Sequence, residues 1–483
     1  MARATGWRDR VRARRRAAAV QGESSEPANP APEGIGAQVV FVVAAAVVGV
    51  LTGLTAASFR VLLEIVSRGR AVLVGWAHGS PVLGAVLVVL VCATATMLAA
   101  WLVHRVEPHA EGSGIPRVEA VVEGRTEPGR FRILPVKYIG GLLSIGSGLA
   151  LGREGPSVQM GGNVAVMVGA ALRRGRADVR VLVAAGAAAG LATAFYAPIA
   201  GGVFVLEELL KRFDPRTTLA TLVASATGFA SAHLLLTDGS AAQFRMPVLT
   251  APRLDQAPVV LVVGALAGLL GISYNWAVMA SLRVADTSRL PVELRAALIG
   301  AAVGLLGWFA PDLVGGGDNL TQSALLGHGV ALAITGVLAL RFALGVVSYA
   351  AATPGGLFAP MLVLGSHLGL LVGVIGTQIA PQHTPEPAGL ALIGMAAFFT
   401  ATVRAPVTGL ILATEMTGST ILLPPMLGAC AIAMLVAGAL GGKPIYDLLT
   451  ERAVRASQQN ATERRLSEPS PAHPDRPDER SDQ

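Results

Sequence analysis

The sequence has few charged residues and few cysteines. Asp, Glu, Lys and Arg make up 14% of the 483 residues, against about 25% in soluble domains. The two cysteines, Cys92 and Cys430, both lie in apolar runs, which indicates packing residues rather than a disulfide framework. A soluble globular domain and a disulfide-stapled secreted domain are therefore both disfavoured.

The sequence also lacks the common catalytic motifs. It contains no His-Glu-x-x-His pattern and no Walker A loop, and its serines do not lie in a nucleophile elbow. Arg153 beside Glu154 has the residue types of an acid–base pair, but no electrophile site accompanies them. We therefore expect neither an enzyme nor a bound cofactor or metal.

What fills the sequence is apolar residues, at 53%, together with 57 glycines. Several apolar runs reach the ~20 residues that a helix needs to span a bilayer, and small residues let such helices pack closely. The runs cover residues 37–57, 81–103, 180–209, 258–281, 327–349, 358–380 and 388–414. The predicted fold class is an all-α polytopic membrane protein.

Positive charges cluster at both ends of the apolar region. Residues 1–34 are rich in arginine and show no signal-peptide pattern. The positive-inside rule predicts that both termini are cytoplasmic in a multi-pass protein of the cell membrane. The N-terminal run is expected to contact lipid headgroups, and nucleic-acid binding is disfavoured because the run lacks interleaved aromatics. The basic residues after the last apolar run are Lys443, Arg452, Arg455, Arg464 and Arg465.

The sequence predicts three segments and an internal duplication. Residues 1–34 and 451–483 are predicted to be disordered, and residues 35–450 to form the membrane domain. The pattern of 197–207 recurs at 405–415, and that of 152–161 recurs at 356–365. We place the repeat halves at about 35–215 and 245–450. Repeated halves are typical of transporters, whose substrate sites lie at the repeat interface.

Three breaks in the apolar pattern have the same form, glycine followed by proline. They are Gly-Ser-Gly-Ile-Pro at 112–116, Gly-Arg-Glu-Gly-Pro at 152–156 and Gly-Gly-Leu-Phe-Ala-Pro at 355–360. Proline is common at the first position of a helix, so each break predicts a helix that begins inside the membrane. Its free N–H groups and dipole make an anion site without a full positive charge. Gly114 and Ile115 belong to this predicted site. Ordinary inter-helix turns are the alternative interpretation.

Glu154 lies at one of these predicted helix starts, among apolar residues. A carboxylate within a membrane is costly and by default indicates function. Ionised, Glu154 can occupy the helix start in place of the anion; protonated, it loses that attraction and can move away. It would then serve as both gate and proton carrier. A plain helix-capping glutamate is the alternative.

Further polar candidates are an acidic pair and two hydroxyl groups. Glu207 and Glu208 end an apolar run, and because adjacent helical residues point about 100° apart, one can pass protons while the other is structural. Ser113 offers a hydroxyl donor beside the first helix start, and Tyr446 offers a phenol donor. For Tyr446 the alternative is an interfacial anchor.

These residues and motifs resemble the CLC family of chloride channels and chloride/proton antiporters. The resemblance covers about residues 35–450, with all three motifs in order, and residues 137–162 are similar to the family throughout. It implies two inverted repeat halves with broken helices, and a homodimer with one pore per subunit. The paired C-terminal regulatory domains of many eukaryotic relatives are not expected.

The resemblance also implies roles for individual residues. Ser113 and Tyr446 would coordinate the anion by their side chains, and Leu357 and Phe358 by backbone N–H groups. Glu154 matches the external gating glutamate. Glu208 matches the internal proton-transfer glutamate, whose presence favours an antiporter over a channel. A serine in the first motif is typical of chloride selectivity.

The predicted function is therefore chloride transport coupled to opposite proton movement, with chloride, protons and membrane lipid as partners. One alternative is a passive voltage- or pH-gated chloride channel of the same fold. A transporter of organic anions is disfavoured, because the motifs predict a narrow site whose donors are backbone N–H groups.

Overall fold

A computed structural model describes residues 35–236 and 243–467. The predicted N-terminal segment 1–34 and the end of the predicted tail lie outside the described residues. The chain divides into two compact units, Met1–Val43 and Ala44–Gln483. The described residues of the first unit form the opening turns of the first helix.

The described residues form 17 α-helices and no β-strand. Those of the first half are α1 (Ile35–Ala77), α2 (Pro81–Arg105), α3 (Ile115–Val122), α4 (Ile133–Gly146), α5 (Glu154–Ala171), α6 (Arg176–Phe195), α7 (Pro198–Phe204) and α8 (Pro215–Ala232). Those that follow are α9 (Ala257–Thr287), α10 (Val292–Phe309), α11 (Asp318–Leu325), α12 (Ala331–Tyr349), α13 (Phe358–Ile379), α14 (Pro387–Val403), α15 (Pro406–Thr417), α16 (Leu423–Ala439) and α17 (Ile445–Ser467).

Seven of these helices are long and apolar enough to cross a membrane, namely α1, α2, α6, α9, α10, α12 and α13. Many of their large apolar side chains face outward, as Leu83 and Trp276 do at 76% and 67% exposure. Such surfaces suit lipid rather than water. The all-α polytopic prediction is confirmed.

The helices α1 to α8 recur in the same order as α9 to α16. The short helices α3 and α11 both follow a glycine of positive φ, Gly114 at 75° and Gly317 at 94°. Helix α5 packs along α6 as α13 packs along α14. The equivalent pairs α2/α10, α5/α13 and α7/α15 also contact each other. Contacts between equivalent elements fit a two-fold relation, as two inverted halves require.

The halves differ where α7 ends. Helix α7 continues into a π-helical turn over Val205–Leu209, in which the Leu210 N–H donates to the Val205 carbonyl at 2.9 Å. Its counterpart α15 remains α-helical to Thr417. Short π-helical turns recur at functional sites, and this one contains both Glu207 and Glu208.

Glu207 and its repeat partner Glu415 exchange helix caps between the halves. The Glu207 carboxylate accepts from the N–H groups of Val407 and Thr408, at 3.0 and 2.7 Å, at the start of α15. The Glu415 carboxylate accepts from those of Ile199 and Ala200, at 3.0 and 2.7 Å, at the start of α7. Each carboxylate satisfies N–H groups that have no intrahelical partner. Glu207 is thus the structural member of its pair.

Helix α17 runs to Ser467, so residues 451–467 are helical where the sequence predicts a disordered tail. The prediction ended structure at the last apolar run, but ion pairs hold the charged residues that follow. Lys211 pairs with Asp447 at 2.9 Å, and Lys443 with Glu451 at 2.6 Å. The hydrogen bond from Lys443 holds the pKa of Glu451 below its usual value.

Removing one reciprocal cap tests their structural role. Glu415→Ala leaves the first-turn N–H groups of α7 without their acceptor, which is expected to lower the free energy of unfolding by about 1–2 kcal/mol. Thermal denaturation in detergent measures the shift in Tm. The control is Glu127→Ala, which removes an exposed ion pair with Arg176 of little energetic value. Equal shifts in the two variants would contradict the capping role.

Candidate functional site

The three glycine–proline breaks meet in space through backbone hydrogen bonds. The Gly112 N–H donates to the Thr353 carbonyl at 3.1 Å, and the Gly355 N–H donates to the Gly112 carbonyl at 3.0 Å. Gly152 and Gly356 exchange two N–H···O bonds, both at 2.8 Å. The starts of α3, α5 and α13 are therefore fixed beside one another.

Glycine is required where these backbones approach most closely. A Cβ at Gly155 would lie 2.8 Å from the Cα and Cβ of Ser113. A Cβ at Gly356 would lie 3.0 Å from the Gly155 nitrogen. Any side chain at these positions would push the helix starts apart, so the glycines of the motifs set the width of the site.

Buried side chains behind the loops hold them in place, and the sequence analysis assigned them no role. Lys137 is fully buried, and its Nζ donates to the carbonyls of Ala110 at 3.1 Å and Gly112 at 2.7 Å. The Ser144 hydroxyl donates to the Pro354 carbonyl at 2.5 Å. The available signal was a lysine inside an apolar run, which is costly unless it has partners.

The predicted anion ligands Ser113, Leu357, Phe358 and Tyr446 are all buried. The Tyr446 ring lies 6.2 Å from the Phe358 ring, between centroids. Its hydroxyl is buried and has no hydrogen-bond partner among the described residues. Buried hydroxyl groups normally have a partner, so this phenol is available to a bound ligand.

The backbone donors of the site differ between helix starts. The Ile115 N–H at the start of α3 donates to the Ser113 hydroxyl at 3.3 Å, after the left-handed Gly114. At the start of α13, the Met361 N–H donates to the Leu357 carbonyl at 3.0 Å. The N–H groups that precede Met361 in this helix, including that of Phe358, have no intrahelical acceptor.

Glu154 lies between two of the helix starts. It begins α5 and is 1% exposed. A Cβ built on Gly152 would contact both its Oε2 and, at 3.1 Å, the side chain of Ala359 in α13. Oε2 has no hydrogen-bond partner among the described residues. The carboxyl group therefore occupies the space where the dipoles of α5 and α13 meet.

Arg153, next to Glu154, is held by other groups. Its guanidinium donates to the Asp318 carboxylate at 2.8 Å and to the Ala194 carbonyl at 3.2 Å. Among the described residues no ion pair joins it to Glu154, which disfavours the acid–base alternative. A cavity of about 560 Å³ opens onto Glu154 and is lined by both signs of charge, including Arg60, Arg153 and Asp318.

Glu208 is a second buried carboxyl group, 5% exposed, in the π-helical turn. Its charged neighbours include Lys211, Asp447, Glu119 and the adjacent Glu207, and Glu119 accepts from the Thr450 hydroxyl at 3.2 Å. Tyr446 lies within electrostatic range of both Glu154 and Glu208. The phenol is therefore near both buried acids.

No group of three or more metal-ligating side chains occurs in the described ranges. Repeated halves, helices that begin at a buried site and two embedded carboxyl groups define a polytopic membrane protein of the transporter class. The chain belongs to the voltage-gated chloride channel family, whose model matches residues 95–438.

Individual relatives agree with this membership. The chain is 37% identical over 415 residues to the H(+)/Cl(−) exchange transporter ClcA of Vibrio cholerae serotype O1 (strain M66-2), covering 84% of this chain and 88% of ClcA. A slow cyanobacterial Cl−/H+ antiporter of known structure is similar with a TM-score of 0.82 and 34% identity, covering 86% of this chain and 98% of that one. A CLC-type fluoride/proton antiporter, at 22% identity and a TM-score of 0.72 over 86% of this chain and 98% of its own, shares the fold.

Proposed function

We propose that this protein exchanges chloride for protons across the membrane. The observation that carries the proposal is the position of Glu154, a buried carboxyl group between the starts of α5 and α13. The relatives named as Cl−/H+ exchangers and antiporters support it. Those relatives are transporters, in agreement with a function that is not enzymatic.

The coupling follows from competition for one position. Helix starts attract either an anion or the ionised Glu154 carboxylate, because both satisfy the same N–H groups and dipoles. A proton on Glu154 removes its charge and frees the position for chloride. Release of that proton to the other side of the membrane restores the charge on Glu154, and the returning carboxylate then expels the anion, so each ion moves only when the other does.

The central anion would be held by neutral donors. The Tyr446 phenol and the Ser113 hydroxyl supply side-chain donors, and the first turn of α13 at Leu357 and Phe358 supplies backbone N–H groups. Gly114 and Ile115 would shape the first helix start, where the Ile115 N–H already donates to Ser113. Weak neutral donors let an anion leave as readily as it enters.

Glu208 would connect this site to the cytoplasmic solution. Its burial in the π-helical turn near Lys211 and Asp447 supports a proton-transfer role. In this proposal both termini are cytoplasmic, residues 35–450 form the transport domain, and the inner proton entrance lies near the start of α17.

We further propose that the protein is a homodimer through the face formed by α7, α8, α15 and α16. The exchanged caps at Glu207 and Glu415 lie on this face beside Ile199 and Val407, which are 53% and 46% exposed. Carboxylates that face lipid are costly. A second copy over this face would cover both of them, with lipid around the remaining surface.

Replacing Glu154, the proposed gate, should separate chloride flux from proton flux. Glu154→Gln keeps the size of the side chain but cannot take up or release a proton, so chloride flux should persist without coupled proton movement. The measurement uses liposomes with a chloride gradient and no proton gradient, and records internal pH and chloride. Uphill proton movement in wild type that reverses with the gradient establishes exchange. Coupling that survives in Glu154→Gln would contradict the gate.

Replacing the inner acid separates antiport from a passive channel. In the same liposomes, Glu208→Gln should lose at least tenfold in proton flux while chloride flux remains. Glu207→Gln is the matched control, because it removes the adjacent acid while its amide oxygen can still accept one of the two N–H bonds at the start of α15, and coupling should be retained. Chloride flux in wild type without linked pH change would instead indicate a channel.

A charge on the proposed dimer face should separate the subunits. Leu427 on α16 is 58% exposed, and Leu427→Arg would bury an unpaired cation in the interface. Light scattering after size-exclusion chromatography should give the mass of two subunits for wild type and one for Leu427→Arg. The control Leu83→Arg lies on α2, outside this face. A monomeric wild type would contradict the proposal.

A further inference from the structure

A lateral groove between α1, α2 and α4 has no part in the proposed transport path. It has a volume of about 440 Å³, within the range of about 300–1,000 Å³ of small-molecule sites. Its walls are apolar and include Val66 and Leu73 of α1, Val91 of α2, and Ile139 and Leu142 of α4. Val66, Val91 and Ile139 are 39%, 43% and 50% exposed, so the groove opens on the outer surface of the helices.

One charged residue lines this groove, Arg70 of α1. Its Nε is buried and has no hydrogen-bond partner among the described residues. A buried guanidinium donor without a partner is costly. Arg70 also lines the charged cavity that leads to Glu154. The groove is therefore apolar along its length and cationic at the end that meets this cavity.

We propose that the groove binds a membrane phospholipid, with one acyl chain between α1, α2 and α4 and its phosphate on Arg70. Hydrocarbon suits the apolar walls, and a phosphate oxygen satisfies the unpartnered guanidinium donor. A free inorganic anion would leave the apolar walls unfilled, and a second protein copy would need an apolar segment carrying an acidic group. The proposal rests on the membrane location of the chain and not on antiport.

The open space at Gly69 allows a direct test. A Cβ at Gly69 would meet no atom within 4 Å, so Gly69→Leu can place a side chain in the groove that Gly69 lines. Gly75 lies on the same helix, is equally unobstructed and does not line the groove. Gly75→Leu is therefore a matched control. Arg70→Gln removes the guanidinium.

The measurement is native mass spectrometry of the full-length protein from micelles containing phosphatidylglycerol. Wild type and Gly75→Leu should each retain one tightly held lipid per subunit. In Gly69→Leu and in Arg70→Gln, the fraction of subunits that retain this lipid should fall at least fivefold. Ala95→Phe, from the opposite wall on α2, repeats the blocking test if Gly69→Leu does not fold.

Three outcomes would overturn the proposal. The first is equal retention of the lipid by wild type and by the two variants that fill the groove, Gly69→Leu and Ala95→Phe. The second is displacement of the lipid by millimolar inorganic phosphate, which would indicate a site for a free anion. The third is equal retention of diacylglycerol and phosphatidylglycerol by wild type, which would show that Arg70 does not recognise the phosphate.

Discussion

The structure depends on one constraint: backbone groups within a membrane must find partners inside the protein. Irregular backbone at that depth is tolerated only where protein surrounds it. The three glycine–proline loops satisfy this constraint by pairing with each other, through Gly112 with Thr353 and Gly355, and through Gly152 with Gly356. Three helices can therefore start inside the molecule, and their positive ends converge on one site. Without these pairings the helix starts would separate, and the proposed anion site could not form.

The same need for partners inside the protein explains how the duplicated halves are joined. Glu207 and Glu415 each cap a helix of the other half, so the carboxylates of one half replace partners that water would supply at a surface. One departure from symmetry is the π-helical turn of the first half, which contains both the capping Glu207 and Glu208. Glu207, which caps a helix, and Glu208, the proposed proton-transfer acid, are adjacent in sequence. Within the π-helical turn their side chains have different environments.

Buried polar groups behind the site connect its shape to its proposed chemistry. Lys137 supports the loop that carries Ser113, although it contacts only carbonyl groups and lies outside the proposed set of anion ligands. Backbone carbonyls satisfy its ammonium group, so an anion in the proposed site would meet neutral donors. Tyr446 lies in the first turn of α17, a helix that the ion pairs of Lys211 with Asp447 and of Arg452 with Asp286 hold in position. In the proposed site, a residue of α17 thus joins groups from much earlier in the chain.

The sequence by itself determined the membrane class, the duplication and the three helix starts, because these depend on local composition and on glycine and proline at fixed spacing. It also identified Glu154 and the Glu207–Glu208 pair, because acids in apolar runs are conspicuous. Tertiary structure alone decided which acid of the pair caps a helix, since that depends on Val407 and Thr408 about 200 residues away. It alone assigned Lys137 and Ser144 their roles and extended α17 beyond residue 450, because hydrogen bonds and ion pairs between distant segments leave no local pattern in a sequence.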